Sequence, residues 1–290
     1  MCIDTPTIKL LRVSVLVAFS GVCKLHIAFL FLGIEPRITI YLAAFLVIYA
    51  TYTLDRATGG KEDKINKKEF ISARKNIALV FCLVTLAAGS WLFLQENLLI
   101  ISFLPFIIGY VYSKGINIGR ISLKLKGNFG MKNLTVALTW SSIISAIILR
   151  WVSIPIVLLF VFPFFAIKSF INTVIYDFRD IKGDSAAGIK TLPIFLGERR
   201  TRSLLQSMHI TLHLWIATAM FLGFVRPQVT VLMTLGLTGL IYTRYYTRAS
   251  RENESKCRRI MRDVIVDGEF IMAVILDVII DAIIDAIISF

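Results

Sequence analysis

The sequence predicts an all-α fold, a polytopic membrane bundle of about nine transmembrane helices, and three observations carry that reading. Of 290 residues, 57% are hydrophobic, and the mean hydropathy of +0.76 exceeds what a soluble core of this length needs. The apolar residues gather in stretches close to the roughly 20 residues that cross a bilayer core. Lysine and arginine crowd into alternate connections between those stretches.

Taken in order, the predicted spans cover 12–33, 38–54, 76–94, 98–113, 133–150, 152–176, 204–224, 228–246 and 264–290, which leaves residues 1–290 as one integral membrane domain. The first has the place of a signal peptide, but Lys24 and His26 interrupt it and no small-residue cleavage site follows, so it is expected as a retained helix. Segments 56–75, 114–132, 179–202 and 244–262 carry 7, 5, 6 and 7 lysines or arginines, while the intervening connections hold Arg37, Arg150 and Arg226. The positive-inside rule then puts the N-terminus and the four basic segments in the cytosol, and the C-terminus outside.

That placement gives the net charge of +13 a topological meaning and argues against nucleic acid as a partner. Cys2, Cys23, Cys82 and Cys257 show neither a disulfide framework nor metal-ligand spacing, so they are expected to pack. His209 and His213, one turn apart, have no third ligand in sequence and are expected to hydrogen-bond between helices.

The most informative feature lies where the long apolar run to Tyr176 ends, in Tyr176-Asp-Phe-Arg-Asp-Ile-Lys-Gly-Asp184. At spacings of three and four, Asp177, Asp180 and Asp184 share one side of a helix. Carboxylates about 6 Å apart repel by roughly 3 kcal/mol per pair at an effective dielectric of 20, so such a face needs cations. Magnesium is one answer, and the neighbouring Arg179, Lys182 and Arg199 are another. An echo stands 122 positions earlier, counting Asp55 to Asp177, in the stretch from Tyr52 through Asp55 to Asp63 and Asn66. Two helix pairs presenting carboxylates at one membrane face are predicted to converge on a polar cavity. Lys168, nine residues before Asp177 and thus about 13 Å deeper, shares a stripe with Asn172, Tyr176 and Asp180. A lysine at that depth costs roughly 2.5–3.5 kcal/mol on insertion scales, so it is expected either to line the cavity or to be buried against a structural partner. Lys24 is a similar case. Asp277, Asp281 and Asp285 recur every fourth residue in the last span, facing protein or water, or with Asp277 meeting Lys24 or Lys168. Aromatic side chains such as Phe103, Tyr110, Trp140, Phe164 and Phe165 suit either a bound apolar ligand or lipid and core.

The acidic run, followed by Gly188-Ile-Lys-Thr-Leu-Pro-Ile-Phe-Leu-Gly197, resembles the second aspartate-rich motif of the UbiA-type intramembrane prenyltransferases. Tyr112-Ser113, the stretch Met131 to Trp140 and Val266-Asp-Gly-Glu-Phe270 extend the resemblance over nearly the whole chain. It implies an enzyme that binds an isoprenyl diphosphate through Mg²⁺, ionises it to an allylic cation and passes that cation to an aromatic or lipid acceptor, in contact with membrane lipids. By the resemblance, Asp177, Asp180 and Asp184 hold metal together with Asp55 and Asp63. Lys126, Lys190 and Arg179 bind the diphosphate, and Lys168, Asn172 and Tyr112 complete the substrate site. The first motif departs from the family pattern, since Gly59 stands where the middle aspartate is expected, and Asn66-Lys-Lys-Glu-Phe70 lacks the Arg-Pro-rich continuation of many relatives. Glu62 is the nearest replacement. The resemblance is to the shorter, archaeal-like branch, and it leaves open a terpene cyclase that closes the cation on itself. The intramembrane charges Lys24, Lys168 and Asp277 also leave open a membrane carrier or lipid-binding protein.

Overall fold

The computed structural model describes residues 5–58, 73–114, 116–118, 121–123, 130–152, 155–186, 188–248 and 256–289. The long helices are α1 (Pro6–Leu32), α2 (Ile38–Thr58), α3 (Lys75–Gln95), α4 (Leu104–Lys114), α5 (Met131–Ile148) and α6 (Leu158–Ala186). A short α7 (Leu192–Phe195) leads to α8 (Glu198–Phe221) and α9 (Val229–Tyr246), and α10 (Lys256–Ile260) runs through a π-helical turn at Met261–Val266 into α11 (Glu269–Ile288). Among the described residues the one departure from all-α is an antiparallel pair, β1 (Ile116–Ile118) with β2 (Ile121–Leu123), in register Asn117 to Ser122.

Each predicted span thus has a helix at its place, although among the described residues five are long and apolar enough to cross a membrane by length and composition: Pro6–Leu32, Ile38–Thr58, Lys75–Gln95, Met131–Ile148 and Pro155–Ala186. The other four differ for visible reasons. Helix α4 has 11 residues, α8 opens on a charged turn, α9 ends in a polar one, and α11 carries Glu269, Asp277, Asp281 and Asp285.

Local chemistry sets the ends. Thr5 caps α1 through Ile8 N–H at 3.4 Å, with Pro6 at the first helical position where its missing N–H is harmless. Helices α1, α2 and α3 pack in succession, α5 lies along α6, and α11 fits between α1 and α9. The main core joins Phe29, Phe31, Phe164, Phe165, Leu212, Ile216 and Phe270, and a second cluster gathers Ile171, Val174, Tyr242 and Tyr246 nearer the acidic end of α6. Leu83, Val84, Trp91, Phe221 and Ile288 are exposed on the outside, as suits side chains facing lipid.

Two glycines fix geometry that reaches the interior. A Cβ on Gly268 would lie 2.1 Å from the carbonyl oxygen of Val264, so glycine alone lets the π-helical turn close onto α11. A Cβ on Gly21 would fall 2.4 Å from the Trp140 ring and 2.8 Å from Ile48. The Trp140 ring thus packs closely against α1, its indole N–H donating to Tyr52 Oη at 2.9 Å. Gly21→Ala is expected to destabilise the bundle by about 1–3 kcal/mol through overpacking. Thermal denaturation in detergent checks this, and an unchanged midpoint would show that Trp140 is not wedged there.

Candidate active site at the acidic end of α6

Helix α6 does not end at Tyr176 but continues through Ala186, so the three carboxylates stand on a helix and not on a loop. Asp177 and Asp184, two turns apart, lie on one stripe facing the start of α5, and both are fully buried. Asn133 donates through Nδ2 to Asp177 Oδ2 at 2.8 Å and to Thr173 Oγ1 at 3.3 Å, which locks its orientation against α6. The Lys132 ammonium stands between the acids, 3.4 Å from Asp177 Oδ1 and 3.7 Å from Asp184 Oδ2. Helix α5 begins at Gly130, whose φ of 68° is left-handed, and no side chain caps its first turn. Its free N–H groups and the positive end of its dipole add to Lys132 at this spot.

Asp180 takes the neighbouring side of α6. Arg179 holds it with a two-pronged pair, Nε to Oδ1 at 2.5 Å and Nη2 to Oδ2 at 2.7 Å, while the guanidinium lies over the Tyr176 ring at 5.1 Å. Tyr176 lies within electrostatic reach of Asp267, and Arg262 approaches the same ring at 5.8 Å. Asp267 is also within electrostatic reach of Tyr52 on α2 and Lys24 on α1. Asp55 is in the last turns of α2, exposed, beside Arg56, which bonds Ser14 Oγ at 3.1 Å.

Deeper in the bundle, Lys168 is fully buried and Asn172 half-buried, and both are held by partners from other helices. Lys168 Nζ donates to Glu269 Oε2 at 2.6 Å and to the Leu235 carbonyl at 3.3 Å, with both charged side chains at 0% exposure. Asn172 donates to Glu269 Oε1 at 2.9 Å and accepts from Tyr242 Oη at 2.7 Å. The network ties α6 to α9 and α11, because a buried lysine demands a carboxylate more than it demands a cavity. Lys24 is buried between aromatic rings, 4.2 Å from the Trp140 centroid and 5.0 Å from that of Phe270. His209 meets Thr243 Oγ1 at 3.2 Å across α8 and α9, the interhelical bond expected of it. Asp277 is buried, Asp281 and Asp285 are exposed, and Lys168 takes Glu269 instead of Asp277.

Of the residues singled out in the sequence, Asp177, Asp180, Asp184 and Arg179 thus gather at one place, and Lys190 is exposed just beyond α6. Asp63, Gly59, Glu62 and Lys126 lie outside the described residues, and Tyr112 is described only as part of α4. Lys132, Asn133, Asp267, Arg262 and Glu269 were missed as site residues. The signal was at hand for most of them, in the stretches Met131 to Trp140 and Val266 to Phe270, which match the same family.

A model described as the UbiA prenyltransferase family matches residues 37–273. The chain belongs to the UbiA prenyltransferase family. No curated protein matches the sequence. A UbiA homolog from Archaeoglobus fulgidus bound to DMAPP and Mg²⁺ is 17% identical and superposes at a TM-score of 0.60, over 93% of this chain and 97% of that one. The same homolog bound to GPP and Mg²⁺ superposes equally, at 17% identity and TM-score 0.60 over 93% and 98%. A structure of digeranylgeranylglyceryl phosphate synthase is 15% identical, with a TM-score of 0.58 over 94% and 97%. At these identities the likeness establishes a shared UbiA fold.

Within that fold the donor set of α6 suits a small hard cation, being made of carboxylate and amide oxygens. Among the described residues, Asn133 Oδ1 is buried without a hydrogen-bond partner, 1% of the residue exposed, beside Asp177. Such an acceptor is costly to leave unmatched. Among the described residues no three acidic, histidine or cysteine side chains close on a single point. The reason is local: Lys132 stands between Asp177 and Asp184, and Arg179 holds Asp180.

Proposed function

We propose that the protein is a Mg²⁺-dependent prenyltransferase that moves the isoprenyl group of an isoprenyl diphosphate onto an aromatic or lipid acceptor within the membrane. The observation that carries this reading is the buried pair Asp177 and Asp184, facing the cationic start of α5 at one end of a UbiA bundle. Bound by these carboxylates and Asn133 Oδ1, with Asp180, Asp55 and Asp63 as further ligands, Mg²⁺ would neutralise charge developing on the leaving diphosphate. Lys132, the first-turn N–H groups of α5 and Arg179 orient the diphosphate and stabilise the same charge, alongside Lys126 and Lys190. The C1–O bond breaks with its electron pair leaving on the diphosphate. The acceptor then supplies the pair for the new bond to C1 and releases a proton. The rings of Trp140, Tyr52 and Tyr176 lie against the cations of Lys24, Arg56 and Arg179, the contact an aromatic face would also make with an allylic cation. The positive-inside rule favours the cytosolic face for this end of the bundle, where the basic segments lie.

Purified protein incubated with radiolabelled geranylgeranyl diphosphate, with and without Mg²⁺, tests the reading. Mg²⁺-dependent diphosphate release together with a labelled acceptor adduct is the expected outcome. Release that yields a cyclic hydrocarbon without acceptor would replace transfer by cyclisation. No Mg²⁺-dependent release across several chain lengths and acceptors would sink the proposal.

A further inference from the structure

Among the described residues, two lysines meet buried carboxylates, and the two contacts are of opposite character. Lys168 and Glu269 meet at 2.6 Å with neither side chain exposed, a closed pair. Lys132 reaches Asp177 at 3.4 Å and Asp184 at 3.7 Å, while 40% of its side chain is exposed. Those distances exceed the roughly 2.7–2.9 Å of a charge-assisted bond, so the ammonium is held by the field of two carboxylates and not by tight hydrogen bonds. Its stem is anchored at the second position of α5, at the bundle end where the first-turn N–H groups also point. The position between Asp177 and Asp184, next to the unmatched Asn133 Oδ1, is also where a divalent ion would collect its oxygen ligands.

We propose that Lys132 is a built-in counter-cation that competes with the metal for the space between Asp177 and Asp184 and makes metal binding depend on the diphosphate. This inference rests on the metal site described above. A divalent ion entering alone must displace the ammonium, and the two cations then repel. When a diphosphate arrives with the ion, the lysine gains an anionic partner within reach of its flexible stem, and displacement no longer strands its charge. The coupling is reciprocal, so the metal strengthens diphosphate binding by the same factor. Lys132 is thus a positioning residue that favours occupation of the site by the metal–diphosphate pair over the metal by itself.

Mn²⁺ titrations followed by electron paramagnetic resonance, on full-length protein in nanodiscs, read this without any turnover. For the wild type, inorganic pyrophosphate is expected to tighten Mn²⁺ binding by about 10-fold, within the usual range of coupling between sites. Lys132→Met is expected to bind Mn²⁺ alone about 10-fold more tightly than the wild type and to lose most of the pyrophosphate effect. Lys132→Gln, which keeps a donor for Asp177 without the charge, carries the same expectation if the methionine variant does not fold. Mn²⁺ affinity unchanged or weaker in both variants, with binding intact in the wild type, would overturn the role of Lys132 alone. Absence of Mn²⁺ binding in every protein, with or without pyrophosphate, would overturn the metal site itself.

Discussion

Asp177→Asn and Asp184→Asn are each expected to lower Mg²⁺-dependent diphosphate release by about 10²–10³-fold, the loss typical of removing one group that stabilises charge in the transition state. Both side chains are fully buried, so their negative charge is kept out of water only because cations face it. Asparagine preserves shape and removes the charge that a divalent ion requires. Asp177→Asn sets an amide against the amide of Asn133, and Asp184→Asn leaves that contact untouched. The two variants therefore separate a charge effect, common to both, from a local hydrogen-bond effect confined to the first. Single-turnover release from labelled substrate measures the loss, and turnover within threefold of wild type for both would remove these residues from the site.

Lys168→Met is expected to destabilise the protein by about 3–5 kcal/mol, because it leaves Glu269 charged, buried and facing an apolar side chain. The double variant Lys168→Met with Glu269→Gln is expected to recover most of that loss. The introduced amide still accepts from Asn172, which in turn is held by Tyr242, and no buried charge remains. Thermal denaturation in detergent or nanodiscs measures both. Equal losses in the single and the double variant would show that the cost comes from packing among α6, α9 and α11 and not from the ion pair. Prenyl-diphosphate binding in the folded double variant then asks whether this network serves the reaction or only the bundle. The closure of Lys168, Glu269 and Tyr242 to solvent predicts the latter.

The acidic cluster was legible in the sequence because it combines carboxylates at helical spacing with a flanking Gly188 to Gly197 run, and local pattern is what sequence displays. Its counter-ions were not. Arg179 is adjacent in sequence and was found; Lys132 lies 45 positions from Asp177 and meets it only because α5 packs along α6. The stripe of Lys168, Asn172, Tyr176 and Asp180 followed correctly from helical periodicity, yet periodicity says which residues share a side and not what that side meets. The side meets Glu269 and Asp267 at the start of α11, nearly a hundred residues on. Nine apolar stretches became helices, while among the described residues four fall short of the length or apolar composition of a span.

By itself the sequence determined the class of the protein, a helical membrane bundle of the UbiA family, because apolar periodicity, charge asymmetry and a contiguous acidic motif are properties of the chain read locally. Only the tertiary structure decided the partner of each buried charge. An ammonium or carboxylate inside a bundle is stabilised by whatever group stands within a few ångströms, and helix packing chooses that group. Packing made Lys168 a closed pair with Glu269 and left Lys132 loosely shared between Asp177 and Asp184.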